Sequence, residues 1–314
     1  MKFLKSQARL LTACFLFTIF VIFSCKKETS QTLSPQDEQQ ANLTASESDA
    51  EAEDVFNGVF DDVMGVNTDV GIGGTGLFMR NIAGNYGIAN IDSRTGNTNP
   101  APTCLNITIV RTTNSNSPFP ITITFDFGGG CPGPDAHVRK GKIIAKYSNR
   151  LLYPGAITTL EFADFSIDSI QIDNTTSYKI ANTGTQDKLQ FTIDINAKLS
   201  KPNGNYTEWY SHKVITRTDG STTPTALDDI LQIEGNASGK GKRNDLVVAW
   251  KAEITDPLIK RFACRWISKG TLKIGRENLS ANSQWLGILD YGVGNCDNRA
   301  TLTLNGVVYQ ITLH

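Results

Sequence analysis

From residue 105 onward the chain alternates apolar and polar residues in short runs separated by turn residues, and this period of two confines it to half-buried β-strands. Leu105-Asn106-Ile107-Thr108-Ile109, Ile121-Thr122-Ile123-Thr124-Phe125, Phe191-Thr192-Ile193-Asp194-Ile195 and Thr301-Leu302-Thr303-Leu304 are the clearest runs. Successive side chains on a strand point to opposite faces, so each run has one face to bury. Asn305-Gly306, between Leu304 and Val307, predicts a two-residue hairpin, because both central positions of a type I′ turn need positive φ. Asn203-Gly204 offers a second turn. About a dozen strands without intervening helices predict an all-β fold, a large antiparallel up-and-down meander forming a curled sheet, sandwich or barrel. Ile170 to Asn174 also echoes Leu231 to Gly235, which duplication and convergent strand composition explain equally well.

One helix precedes the strands. Val55, Phe56, Val59, Phe60, Val63 and Met64 recur at helical spacing, Ser48 and Glu51 form a capping box before them, and Gly65 with Asn67-Thr68 ends the pattern. The polar face is acidic, which favours packing on the chain's own core over a membrane surface. The β-rich domain with its N-terminal helix is therefore expected at 48–314. Residues 65–103 are rich in Gly, Asn and Thr, yet Leu77, Phe78, Ile82, Tyr86 and Ile88 can pack. Gly71, Gly73 and Gly76 match a dinucleotide-binding spacing. The flanks lack the preceding strand and following helix that this chemistry needs, so a glycine loop is expected.

Upstream, Lys2, Lys5 and Arg9 precede a mainly apolar run from Leu10 to Phe23 and then Ser24-Cys25, the layout of a signal peptide over 1–24. The run is shorter than the roughly 20 residues that span a bilayer. Ile22-Phe23-Ser24-Cys25 resembles a bacterial lipobox, which implies cleavage before an acylated Cys25 and a membrane partner engaged through lipid. Residues 25–47 hold few large apolar side chains and are expected to form a flexible tether with a reach of roughly 25 Å. Loss of Lys2, Lys5 and Arg9, with no acidic residue alongside them, takes the formal charge from -1 to about -4. Such a chain has no electrostatic footprint for nucleic acid.

With Cys14 in the leader and Cys25 as anchor, Cys104, Cys131, Cys264 and Cys296 remain. Pairing the strands at 104–110 and 121–127, and those at 262–274 and 284–291, brings Cys104 to Cys131 and Cys264 to Cys296. Zinc spacing is absent and an oxidising compartment favours disulfides, so no metal or other cofactor is expected. His137, His212 and His314 are scattered and no nucleophile motif accompanies them, which predicts no catalytic residue. Asp290, Asn295, Asp297 and Asn298 have the oxygen content of a calcium site without its alternate spacing, and are expected to form a loop. Among the aromatic residues, Trp250 and Trp266 alternate with apolar neighbours and are expected to be buried. Trp209 alternates with Thr207 and Ser211, so Trp209 and nearby Tyr206 are the candidates for an exposed ligand platform.

The segments RKGKI at 139–143, CRW at 264–266 and DYGVGNCDNRATLTLNG at 290–306, with the lipobox and the acidic helix, resemble a family of uncharacterised lipoproteins of the Bacteroidota. The resemblance implies an outer-membrane lipoprotein of the cell envelope, periplasmic or surface-facing, and supplies no catalytic residue or ligand. The expected function is non-catalytic, either binding of a protein or glycan partner or support of the cell surface. Two alternatives are a carrier of an apolar ligand in the curled sheet and a hydrolase whose carboxylates meet only in three dimensions.

Overall fold

The computed structural model describes residues 33–65, 70, 90–92, 97–99, 104–111, 119–133, 137–221 and 228–313. The leader at 1–24, Cys25, the tether up to residue 32, Gly71, Gly73, Gly76, the apolar residues at 77–88 and His314 lie outside them. The chain divides into two units, 1–35 and 36–314, and the second carries the folded elements.

The elements in chain order are α1 (Pro35–Gly65), β1 (Asn90–Asp92), β2 (Asn97–Asn99), β3 (Asn106–Arg111), β4 (Ile121–Asp126), β5 (Cys131–Pro132), β6 (Val138–Tyr147), β7 (Ile157–Ile167), β8 (Ile170–Ile172) and β9 (Ser177–Asn182). They continue with β10 (Gln190–Ser200), β11 (Tyr206–Asp219), β12 (Ile230–Arg243), β13 (Leu246–Arg261), β14 (Ile267–Arg276), β15 (Gly287–Val293), β16 (Arg299–Leu304) and β17 (Val307–Thr312). β1 and β2 form a separate ribbon, and the remaining strands make one 15-stranded antiparallel meander in which nearly every strand pairs with its neighbours in sequence. β8 and β9 together fill one strand position between β7 and β10. The bend between them is held by Asp173, whose side chain accepts from Thr175 N at 2.9 Å. Asn305 and Gly306 take φ of 49° and 76° in the β16–β17 hairpin, as the turn requires. Both disulfides are present, Cys104–Cys131 with Cα atoms 5.4 Å apart and Cys264–Cys296 at 5.7 Å.

Only curling can explain how this sheet meets α1. Tyr147 on β6 donates to Val63 O (2.9 Å), Trp209 on β11 and Trp250 on β13 donate to Asp49, and Gln39 donates to Tyr309 on β17 (2.6 Å). Laid flat, the strands from β6 to β17 would span roughly 50 Å, whereas a helix with its side chains is about 10–12 Å wide. The sheet therefore wraps the helix. Its edges, β3 and β17, are not paired with one another among the described residues. The core lies between helix and sheet: Phe56 stacks on Trp209 with centroids 5.6 Å apart and meets Tyr178 and Phe162 edge-on.

The helix corrects one sequence expectation. It starts at Pro35, not Ser48, so residues 35–47 are helical and are not tether. Pro35 suits a first helical position, and Asp37 and Glu38 complement the positive end of the helix dipole. Ala41, Asn42, Thr44, Ala45, Ser46 and Ser48 are all buried. Their smallness lets strands approach the helix closely, and for that reason the segment reads as polar linker in sequence.

Candidate functional site

The inside of the sheet is a polar seam laid over an apolar core. Glu38 pairs with Arg276, Glu51 with Lys201 and Arg243, Glu53 with Lys213, and Asp61 with Lys260, so the acidic residues of α1 meet cations from β11–β14 and the β10–β11 turn. Asp49 is wholly buried, and its Oδ1 accepts from the indole N–H of Trp209 at 2.9 Å and of Trp250 at 3.1 Å. Burial pushes the Asp49 carboxyl above its ordinary range, with Glu53 adding to the rise and the two indoles and Lys213 opposing it. Tyr147 and Tyr178, also buried, are raised by desolvation.

This seam overturns the placement of Trp209. Its side chain is 0% exposed, because the face of β11 bearing Thr207, Trp209, Ser211 and Lys213 points inward to the acidic helix. Alternation puts Tyr206, Glu208, Tyr210 and His212 on the other face. There Tyr210 is 52% exposed. Tyr206 is half-buried on that face, with the Lys198 ammonium 5.4 Å from its ring centre. The exposed aromatic residue was thus one position away from the one singled out. Trp250 is buried as expected, while Trp266 is half-exposed beside the Arg265 guanidinium at 5.8 Å.

Around Tyr210 the outer face forms a groove of about 240 Å³. Cross-strand register builds it in two rows. Ser177, Asn196, Tyr210 and Ser238 are successive partners across β9–β12, and Asp194, His212 and Asn236 form the neighbouring row across β10–β12. His212 Nδ1 lies 2.6 Å from Asp194 Oδ1, with both side chains more than half exposed. Asn236 is placed by a bulge: the β12–β13 register jumps from Ile233–Leu258 to Asn236–Glu253. Gly235 occupies the bulge at φ 139°, and a Cβ there would lie 2.2 Å from His212 O. Asn236 and Ser238 also line a second trough of about 700 Å³ that runs over β13 and β14 past Lys251, Glu253 and Lys273. Beneath the bulge only about 10 Å³ separates Asn236 from Asp49, Glu53 and Lys213, room for no more than a single water.

His137 pairs with Asp168 at 2.7 Å, far in sequence from this groove. Asp290 and Asp297 accept from Gly292 N and Arg299 N, closing tight turns in the oxygen-rich loop. Among the described residues no three His, Cys, Asp or Glu side chains gather as a metal site, and no helix is long and apolar enough to cross a membrane. Compared with known protein families, curated proteins and solved structures, the chain matches none.

Proposed function

We propose that this chain is a lipid-anchored protein of the bacterial cell envelope, held through Cys25, that presents the outer face of its sheet as a non-catalytic binding surface. The observation that carries the reading is the occupancy of the concave side. Phe56 and Phe60 of α1, with Trp209, Tyr178 and Phe191, fill the hollow where an apolar cargo would sit, and all five are at most 2% exposed. Binding is thereby left to the outer face. Within the groove, carboxylate spacing does not favour the hydrolase alternative. Asp194 and Glu253 lie in one cross-strand row but three strand intervals apart, roughly 14 Å, beyond the roughly 5–9.5 Å that glycoside hydrolysis uses. Asp49 and Glu53 are close but shut inside the seam.

Oxidative footprinting of tyrosine tests the reading without knowledge of the ligand. Tyr210 at 52% exposure and Tyr153 at 53% should react alike in purified protein. In intact envelopes Tyr210 should lose reactivity several-fold relative to Tyr153. Equal reactivity of the two in the envelope would overturn the proposal.

A further inference from the structure

We infer that the Tyr210 groove binds a neutral oligosaccharide; the inference rests on the reading of the outer face as the binding surface. Three observations combine. First, an exposed phenol ring stands on the outer face of the sheet among short groove-lining side chains, so that the apolar face of a sugar ring can reach it; Tyr206 lies on the same face about 13 Å along the strand. Second, apart from the His212–Asp194 pair, the polar groups lining the groove are the uncharged kind that match vicinal hydroxyls. Asn196, Asn236, Ser177 and Ser238 make no side-chain hydrogen bond to another described residue, and each planar amide offers both donor and acceptor. Third, the surrounding charges are of mixed sign. Lys179, Lys198, Lys240, Lys251 and Lys273 are interspersed across the strands with Asp194, Glu208 and Glu253, and this mixing of signs gives a polyanion or a polycation no continuous field of one sign.

Dimensions agree with a short oligosaccharide. From Ser177 to Ser238 the row crosses three strand intervals, roughly 14 Å, and the second row lies roughly 7 Å away along the strands. Asn236 and Ser238 then lead into the larger trough, so a chain of several sugar units can run across β9–β14. His212, held by Asp194 through Nδ1, also lines the groove and offers one further hydroxyl partner. A peptide would instead seek unpaired strand edges, and β9–β14 all lie within the sheet with both edges paired.

The test uses the full chain purified from envelopes in a detergent without a sugar headgroup, titrated calorimetrically with tetrasaccharides of glucose, xylose, mannose and N-acetylglucosamine. At least one should bind at millimolar concentration or better. Tyr210→Ala should weaken it about ten-fold or more, Tyr210→Phe should retain it, and Tyr153→Ala should leave it unchanged. Absence of binding by all four sugars, or binding that survives Tyr210→Ala, would overturn the inference. Protection of Tyr210 in envelopes without sugar binding would refute the glycan class while the outer-face reading stands. Loss of both results would remove both.

Discussion

Asp49 and Trp209, separated by 160 residues in sequence, meet at 2.9 Å in the interior through one carboxylate oxygen and one indole N–H. The same oxygen accepts from Trp250 at 3.1 Å, so one side chain of α1 satisfies two buried donors of the sheet.

Asp49→Ala should therefore destabilise the protein by about 2–5 kcal/mol, since it strands two buried indole donors and leaves a small void. Asp49→Asn retains an oxygen for both indoles and should cost far less. The pH dependence has a definite sign. Because the folded-state pKa of Asp49 is raised above 3.8, its favourable contribution is complete below the unfolded value and is lost as pH rises through the folded one. The Asp49→Asn variant should accordingly gain stability relative to wild type as pH climbs above about 4. Thermal melts of both proteins across a pH series would reveal it, and an Asp49→Asn variant that lost stability relative to wild type with rising pH would contradict the assignment.

Lys213 and Glu53 form an ion pair with both side chains 8% exposed. Lys213→Ala leaves Glu53 buried without its cation and should cost about 3–5 kcal/mol. The Lys213→Met, Glu53→Leu double substitution removes both charges and should recover most of that loss. A double-mutant cycle in urea measures the coupling, and additive effects would mean that the two charges act independently.

Limited proteolysis should produce a resistant fragment beginning near residue 36, with 36–47 protected. Glu38 is 7% exposed and locked to Arg276, whose Nε donates to Glu38 Oε2 at 2.8 Å, while Asn42 is 1% exposed. Arg276→Ala should expose this first part of the helix and move the earliest cuts into it. Rapid cleavage between Asn42 and Ser48 in the wild-type protein would show that the helix start is not docked.

Cys25→Ser should abolish metabolic labelling by fatty acid and shift the protein out of the membrane fraction, since the apolar acyl chains would supply the attachment. Continued labelling of that variant would place the lipid elsewhere.

The sequence by itself determined the meander, the Asn305-Gly306 turn and the pairing of Cys104 with Cys131 and of Cys264 with Cys296. All three depend on neighbouring strands, and short-range alternation and turn chemistry set which strands are neighbours. The apolar stripe from Val55 to Met64 was legible for the same local reason. What the tertiary structure decided is which face of each strand is inside and how far α1 extends. Trp209 and Tyr210 sit side by side on β11, and period two requires only that they point to opposite faces. The choice falls to Asp49 and Glu53, distant in the chain, which draw Trp209 and Lys213 inward and leave Tyr210 outside in the groove. Likewise the helix before Ser48 is tied to the sheet by Arg276 at Glu38, and just beyond it by Arg243 and Lys201 at Glu51. Such long-range charge pairing leaves no period in either partner's sequence, so only the curled sheet that brings the partners together could reveal it.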